Sequence, residues 1–310
     1  LLEAEAGARI APAIKQVEAG LLEWGEEVLV ANTEGVFAEE KRVRTRLFVL
    51  AVAQDGAEVQ TGYSAPGKSV GLELFDLYPP KAVGEKAARQ ALTNLKARPA
   101  PAGTFPVVVG PGFGGVLFHE AVGHLLETTS VARKASVLAD KLGEVVASPA
   151  VTYIDDGTLP HAWGSTEMDD EGRPTERTVL IEKGVLKSYM VDRLGHLLTG
   201  YPMTGSGRRQ DYTFAPTSRM RNTFLAPGEA RVEDLFAGIA FGLYAKEMGG
   251  GQGKPGSGED NLAVQDAYIS RKGRIEEPVR GAMLVGKGPE ALMRVVAVAT
   301  SMGGMYAPEG

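Results

Sequence analysis

The stretch Val107-Val108-Val109-Gly110-Pro111-Gly112-Phe113-Gly114-Gly115-Val116-Leu117-Phe118-His119-Glu120-Ala121-Val122-Gly123-His124 decides how this chain is read. Three consecutive valines predict a short buried strand, because β-branched side chains suit a pleated sheet. The Gly/Pro run that follows predicts a loop, and a helix is expected to start near Val116. Leu117, Phe118, Ala121, Val122, Leu125 and Leu126 cover most of that helix's circumference, so it should be buried. Two imidazoles and a carboxylate on a buried helix are costly without partners. A metal ion is one such partner; hydrogen bonds inside a core are the other.

His119 and His124 are two of only four histidines in the chain. Zinc takes neutral imidazole nitrogens, and hydrolysis at a zinc centre needs a base close by, the place Glu120 occupies. The His-Glu-x-x-His arrangement puts its histidines four apart on one helical face. Here they are five apart. At ~100° per residue, that spacing separates the side chains by about 140°, against about 40° for four. Both can reach one ion only if the helix is overwound, carries a π-type bulge, or ends between them. Gly123 is expected to supply the backbone freedom for that departure.

Working outward, Leu2, Ala6, Ile10 and Ile14 repeat at helical spacing and predict a helix from Leu1 to about Glu18. Val28–Ala31 and Leu47–Val52 read as strands, the second buried on both faces. Val83 to Ala97 is an amphipathic helix that ends before Arg98-Pro99-Ala100-Pro101-Ala102-Gly103, the best linker in the chain. Beyond it, Val179–Lys187 and Ala267–Ile275 read as hairpins, and Arg231 to Tyr244 as a helix. Runs of helices and strands without steady βαβ alternation predict an α+β fold. The expected organisation is an N-terminal α/β-type domain over 1–98, then a strand-rich C-terminal domain over 99–310 that carries the motif helix.

Composition narrows the function. The formal charge of −6 argues against a general grip on nucleic acid, which would show as a basic surplus. No apolar run approaches a membrane span, and the first residues lack the form of a signal peptide. The absence of cysteine excludes disulfides and is compatible with the cytoplasm, the expected location. The chain starts Leu1-Leu2-Glu3 without methionine, and a missing natural start is expected.

Other candidates have plainer readings. Asp155-Asp156-Gly157 and Asp169-Asp170-Glu171-Gly172 lack the twelve-residue calcium-loop pattern and read as acid-Gly turns at strand ends. His161 and His196 are each conceivable as a third ligand, but a lone histidine is more often structural or exposed. Arg208-Arg209 could offer guanidinium groups to a peptide carboxylate, or form a solvated turn held by an acidic neighbour. Gly249-Gly250-Gly251-Gln252 lacks a phosphate-loop ending. It suits either an extended substrate lying against main chain or a surface loop.

Taken with Pro101-Ala102-Gly103-Thr104, Gly143-Glu144-Val145-Val146-Ala147-Ser148, Asp155-Asp156-Gly157-Thr158, Asp169-Asp170-Glu171-Gly172, Gly205 to Tyr212 and Gly249 to Gln252, the Phe118 to Glu127 motif resembles the TldD/PmbA family. The resemblance is to its TldD-like members and runs in consistent order from about Ala4 to the last residues. It implies a zinc-dependent peptidase, formerly described as a modulator of DNA gyrase, that acts on unfolded or extended peptides. It also implies His119 and His124 as metal ligands, Glu120 as catalytic base, and a homodimer or pairing with a PmbA/TldE-like subunit. Family members of this kind supply a cysteine near the C-terminus as third ligand. This chain has none, and the best register sets Tyr306 opposite it. A phenol with a pKa near 10 replaces a thiolate poorly. Three readings stay open: another third ligand, weak metal binding, or a non-catalytic peptide-binding or assembly subunit that keeps the motif helix as scaffold. The chain also stops where the family would continue, so a missing end is expected.

Overall fold

The computed structural model describes residues 1–254 and 258–300. Its first part is a sheet in which Ile14–Ala31 runs antiparallel to Phe37–Asp55, with Glu58–Ser64 on the far side. The helix expected to reach Glu18 is only Leu2–Ala8. Ile14 onward is strand, because it pairs with Phe37–Asp55 from Ile14↔Ala53 to Ala31↔Phe37, and those inter-strand hydrogen bonds outweigh local spacing. Leu47–Val52 lies in a strand as expected but is not buried on both faces. Leu47, Val49, Ala51 and Ala53 enter the core, whereas Phe48, Leu50 and Val52 are half-buried. The helices cover a single face: Pro80–Lys96 lays Val83, Ala87, Ala88 and Ala91 on the sheet beside Ala4 and Ala8.

The rest of the chain builds two larger sheets. In one, Thr223–Leu225, Tyr153–Asp156, Arg177–Glu182 and Val185–Leu186 lie side by side, all antiparallel. In the other, the order is Arg98–Pro99, Arg274–Arg280, Glu259–Arg271, Phe241–Lys254 and Val107–Val109, with Met283–Lys287 also paired to Glu259–Arg271. Both expected hairpins form, their turns made by Lys183-Gly184 and Lys272-Gly273 at positive φ. The helix expected over Arg231 to Tyr244 is confined to Val232–Ala237. Phe241, Leu243 and Tyr244 instead lie in a strand that pairs with both Glu259–Arg271 and Val107–Val109, a packing that favours aromatic and branched residues. Gly249–Gly251 also lies within a strand and not a loop; a register shift between Met248 and Gly251 makes a bulge there. Helices and strands segregate as an α+β fold.

The motif helix Val116–Ala121 spans the seam between these sheets. Val116 packs with Leu243, Ala245 and Met248 of the six-stranded sheet. Ala121, Val122, Leu125 and Leu126 pack with Tyr153, Leu180, Ile181 and Met190 on the four-stranded side. A buried polar junction ties the first sheet to the second part: Arg42 donates to Asp170 Oδ1 at 2.6 Å and to the Met168 carbonyl, and Glu40 accepts from the Glu167 amide. Trp24 stacks edge-on against Trp163 beside it, with centroids 5.1 Å apart.

Candidate metal centre

The five-residue spacing is resolved by the helix ending between its histidines. Val116–Ala121 closes at Val122, whose φ of −136° and ψ of −43° leave the helical region, and Gly123–Leu126 continues as a 3₁₀ turn. The break is tolerable energetically. Burying Val122, Leu125 and Leu126 stabilises by roughly 1.5–3 kcal/mol each, more than the roughly 1 kcal/mol net of a lost helical hydrogen bond. The result places the His119 and His124 rings edge-to-face, 4.9 Å between centroids. Ligand atoms of His119, Glu120 and His124 all lie within 4.8 Å of one another, and each residue is half-buried.

Gly123 serves the break differently from expectation. Its φ is not positive; the irregular backbone is carried by Val122. What glycine provides is room: a Cβ there would stand 2.1 Å from Met220 Sδ and 3.1 Å from Tyr153 Oη. Tyr153 in turn donates to the Phe118 carbonyl at 3.2 Å, holding the last helical turn against the four-stranded sheet. Burial pushes the Tyr153 phenol far above its ordinary range, so it remains a donor.

Two residues that the motif reading missed complete the surroundings. Glu127 Oε2 lies 3.2 Å from His124 Nδ1, and Arg219 Nη1 approaches that same oxygen at 3.7 Å. Glu127 was inside the quoted motif, three residues after His124, so helical i,i+3 spacing was the available signal. Arg219 carried no local signal. Burial first, then electrostatic repulsion from the His124, Arg208 and Arg219 side, push the His119 pKa down to about 3. Its ring is therefore neutral at pH 7, the form that donates a lone pair to a metal.

The donor set fits a zinc ion. Two ligand atoms on a tetrahedral ion with bonds of ~2.0–2.1 Å stand about 3.4 Å apart, inside the 4.8 Å that bounds the separations here. Neither other histidine joins the group. His161 is an exposed turn residue at φ 58°, and His196 Nδ1 sits 2.7 Å from the Tyr201 carbonyl oxygen. The acidic clusters are structural. Asp169 accepts from the amides of Glu171, Arg173 and Gly207, and Asp155 from that of Arg221. The two arginines separate: Arg209 is tied to Asp170 through both backbone and side chain, while Arg208 donates to the Met220 carbonyl near His119. Tyr306 lies outside the described residues.

Comparison with known proteins gives the family. The model of the PmbA/TldA metallopeptidase C-terminal domain matches residues 102–309, and that of the central domain matches 1–95. The Metalloprotease TldD homolog of Haemophilus influenzae is 40% identical over 294 residues, covering 92% of this chain and 60% of that protein. The Zinc metalloprotease TldD homolog of Saccharolobus solfataricus is 29% identical over 258 residues, covering 83% and 57%. The chain thus spans about three-fifths of the length of these relatives. A Thermotoga maritima structure described as a modulator of a DNA gyrase superposes with a TM-score of 0.82 at 25% identity, covering 97% of this chain and 69% of that one. TldE from Thermococcus kodakarensis shares the fold, with a TM-score of 0.74 at 21% identity over 92% of this chain and 63% of that one.

Proposed function

Since the chain belongs to the PmbA/TldD metallopeptidase family, we propose that it hydrolyses peptide bonds at a zinc ion held by His119 and His124, with Glu120 as general base. The observation that carries this reading is the meeting of the three residues' ligand atoms across a helix break, despite a spacing that a straight helix would forbid. Zinc bound there supplies Lewis-acid polarisation of the scissile carbonyl. Glu120, whose Oε2 lies 3.9 Å from His124 Nε2, would take the proton of the attacking water and pass it to the leaving amine. Arg208 and Arg219 add positive charge on the histidine side, which favours a carboxylate or developing oxyanion of the substrate.

An extended, unfolded peptide suits the surroundings. Val107–Val109, the strand that leads into the motif, closes one end of its sheet order and pairs only with Phe241–Lys254 among the described residues. A substrate strand added at that edge would run toward the metal, with main-chain hydrogen bonds giving affinity and little sequence preference. Assembly as a homodimer, or with a PmbA/TldE-like subunit, would enclose the site so that folded proteins cannot reach it. No described helix is long and apolar enough to cross a membrane.

A second reading, a non-catalytic peptide-binding or assembly subunit, is favoured by one observation: the chain has no cysteine to act as third ligand. Metal content measured by mass spectrometry after chelator-free purification separates the two. Glu120→Gln should keep zinc and lose turnover by roughly 10²-fold or more. Wild-type protein without metal, or full peptidase activity in that variant, would refute the catalytic reading.

A further inference from the structure

Glu127 has an arrangement that packing alone does not explain. The residue is 3% exposed, and one carboxylate oxygen, Oε1, is buried with no hydrogen-bond partner. Burying a carboxylate this way costs free energy unless another contact offsets it. The residue precedes the short helix Thr128–Val131 at its N-cap position, where a carboxylate ordinarily accepts from the helix's first amides. Here it makes no capping bond and turns back to His124 Nδ1 at 3.2 Å. Its backbone is pinned: the Leu126 carbonyl accepts from Met190, the Thr128 amide donates to Met190, and the Glu127 carbonyl accepts from Ser130 and Val131.

We propose that Glu127 is the positioning residue that holds His124 with its proton on Nδ1 and its Nε2 turned toward the metal. The inference rests on the reading of His119 and His124 as ligands. Glu127 meets the ring on the nitrogen away from the cluster, since His124 Nε2 is the atom facing Glu120 and Glu127 is not one of the three clustered residues. That excludes it as a ligand in this arrangement. Arg219 does not explain the burial either: at 3.7 Å, with a side chain 42% exposed, it is a weak ion pair that supports the carboxylate from outside. A carboxylate behind a metal-binding imidazole sets the tautomer and makes the ring a stronger donor.

The test has two readouts. In metal-free protein, nitrogen NMR of labelled histidine should show His124 as the Nδ1–H tautomer, and Glu127→Ala should shift it toward Nε2–H. Zinc affinity, from competition with a chromophoric chelator, should fall about 10–100-fold in Glu127→Ala, with a smaller loss in Glu127→Gln, whose amide oxygen still accepts from Nδ1. If Glu127→Ala fails to fold, the Gln variant and the wild-type tautomer still decide. An Nε2–H tautomer in wild-type protein, or unchanged affinity in both variants, would overturn the proposal. Wild-type protein that binds no zinc yet keeps the Nδ1–H tautomer would refute the ligand reading and uphold Glu127's hold on the ring.

Discussion

The metal centre and the junction around Arg42 both gather buried or half-buried polar groups, yet they are built oppositely. In the junction the oxygens are taken: Asp170 accepts from the Arg42 guanidinium and the Arg209 amide, and Asp169 accepts from three backbone amides. At the centre, His124 Nε2 and Glu120 Oε2 face each other at 3.9 Å, too far for a hydrogen bond. A cluster of acids is therefore not a site by virtue of its charge. Lone pairs that converge while still available mark a candidate; lone pairs already spent mark architecture.

That contrast can be broken at several points, the largest effect first. Arg42→Met should destabilise the fold by about 3–5 kcal/mol, because it leaves Glu40 and Asp170 buried without their cation. Zinc affinity should not change. Denaturant midpoints and chelator competition on the same sample check both halves, and a parallel loss of zinc would mean that the two regions are coupled.

His124→Ala should do the reverse. A structural zinc's binding energy of roughly 10–16 kcal/mol is shared among about four ligands, so removing one costs on the order of 10²–10³-fold in affinity. Metal-free stability should fall less than in Arg42→Met, by about 1–3 kcal/mol, the cost of leaving the buried Glu127 carboxylate without its His124 partner; equal affinity for zinc would remove His124 from the ligand set.

Gly123→Ala sharpens the comparison by acting on packing alone. The new methyl collides with Met220 and Tyr153, at an expected cost of about 1–3 kcal/mol. Because those neighbours also fix the helix break, zinc affinity should fall with stability. Were affinity to hold while stability drops, the break would not depend on this close approach.

The smallest effect is a pH dependence within the structural acids. Burial raises the Asp155 pKa from 3.8 to about 7. Between those values the folded state holds more proton than the unfolded state, so this group's contribution to stability falls as pH rises through that window. Asp155→Asn keeps an oxygen for the Arg221 amide and removes the slope. Its Tm at pH 8 should equal or exceed wild type by roughly 2–4 °C, the shift that about 1 kcal/mol produces in a domain of this size. A Tm difference that stays the same at pH 5 and pH 8 would assign the slope to other groups.

Much of the architecture was legible because it is local. Val107–Val109, the helix start near Val116, the helix up to Lys96 and the turns at Lys183-Gly184 and Lys272-Gly273 each follow from propensity, periodicity or backbone freedom within a few residues. The two misread helices failed for one reason. Ile14–Glu18 and Phe241–Tyr244 have spacings compatible with a helix, but strands distant in sequence claim their backbone groups. Pairing with a partner roughly 30 residues away leaves no trace in a short window.

At the centre, the sequence alone determined which residue types are present and that a straight helix could not bring both imidazoles to one ion. Tertiary structure decided where the helix breaks, because only the packed neighbours Met220 and Tyr153 crowd position 123 so closely that a side chain there is costly. It also decided what stands behind His124. Glu127 was in view three residues on, but whether its carboxylate would cap the next helix or turn back to the ring depends on the bridge to Met190 and the approach of Arg219. Both contacts close long loops, so their energy appears only once the sheets have assembled around the motif.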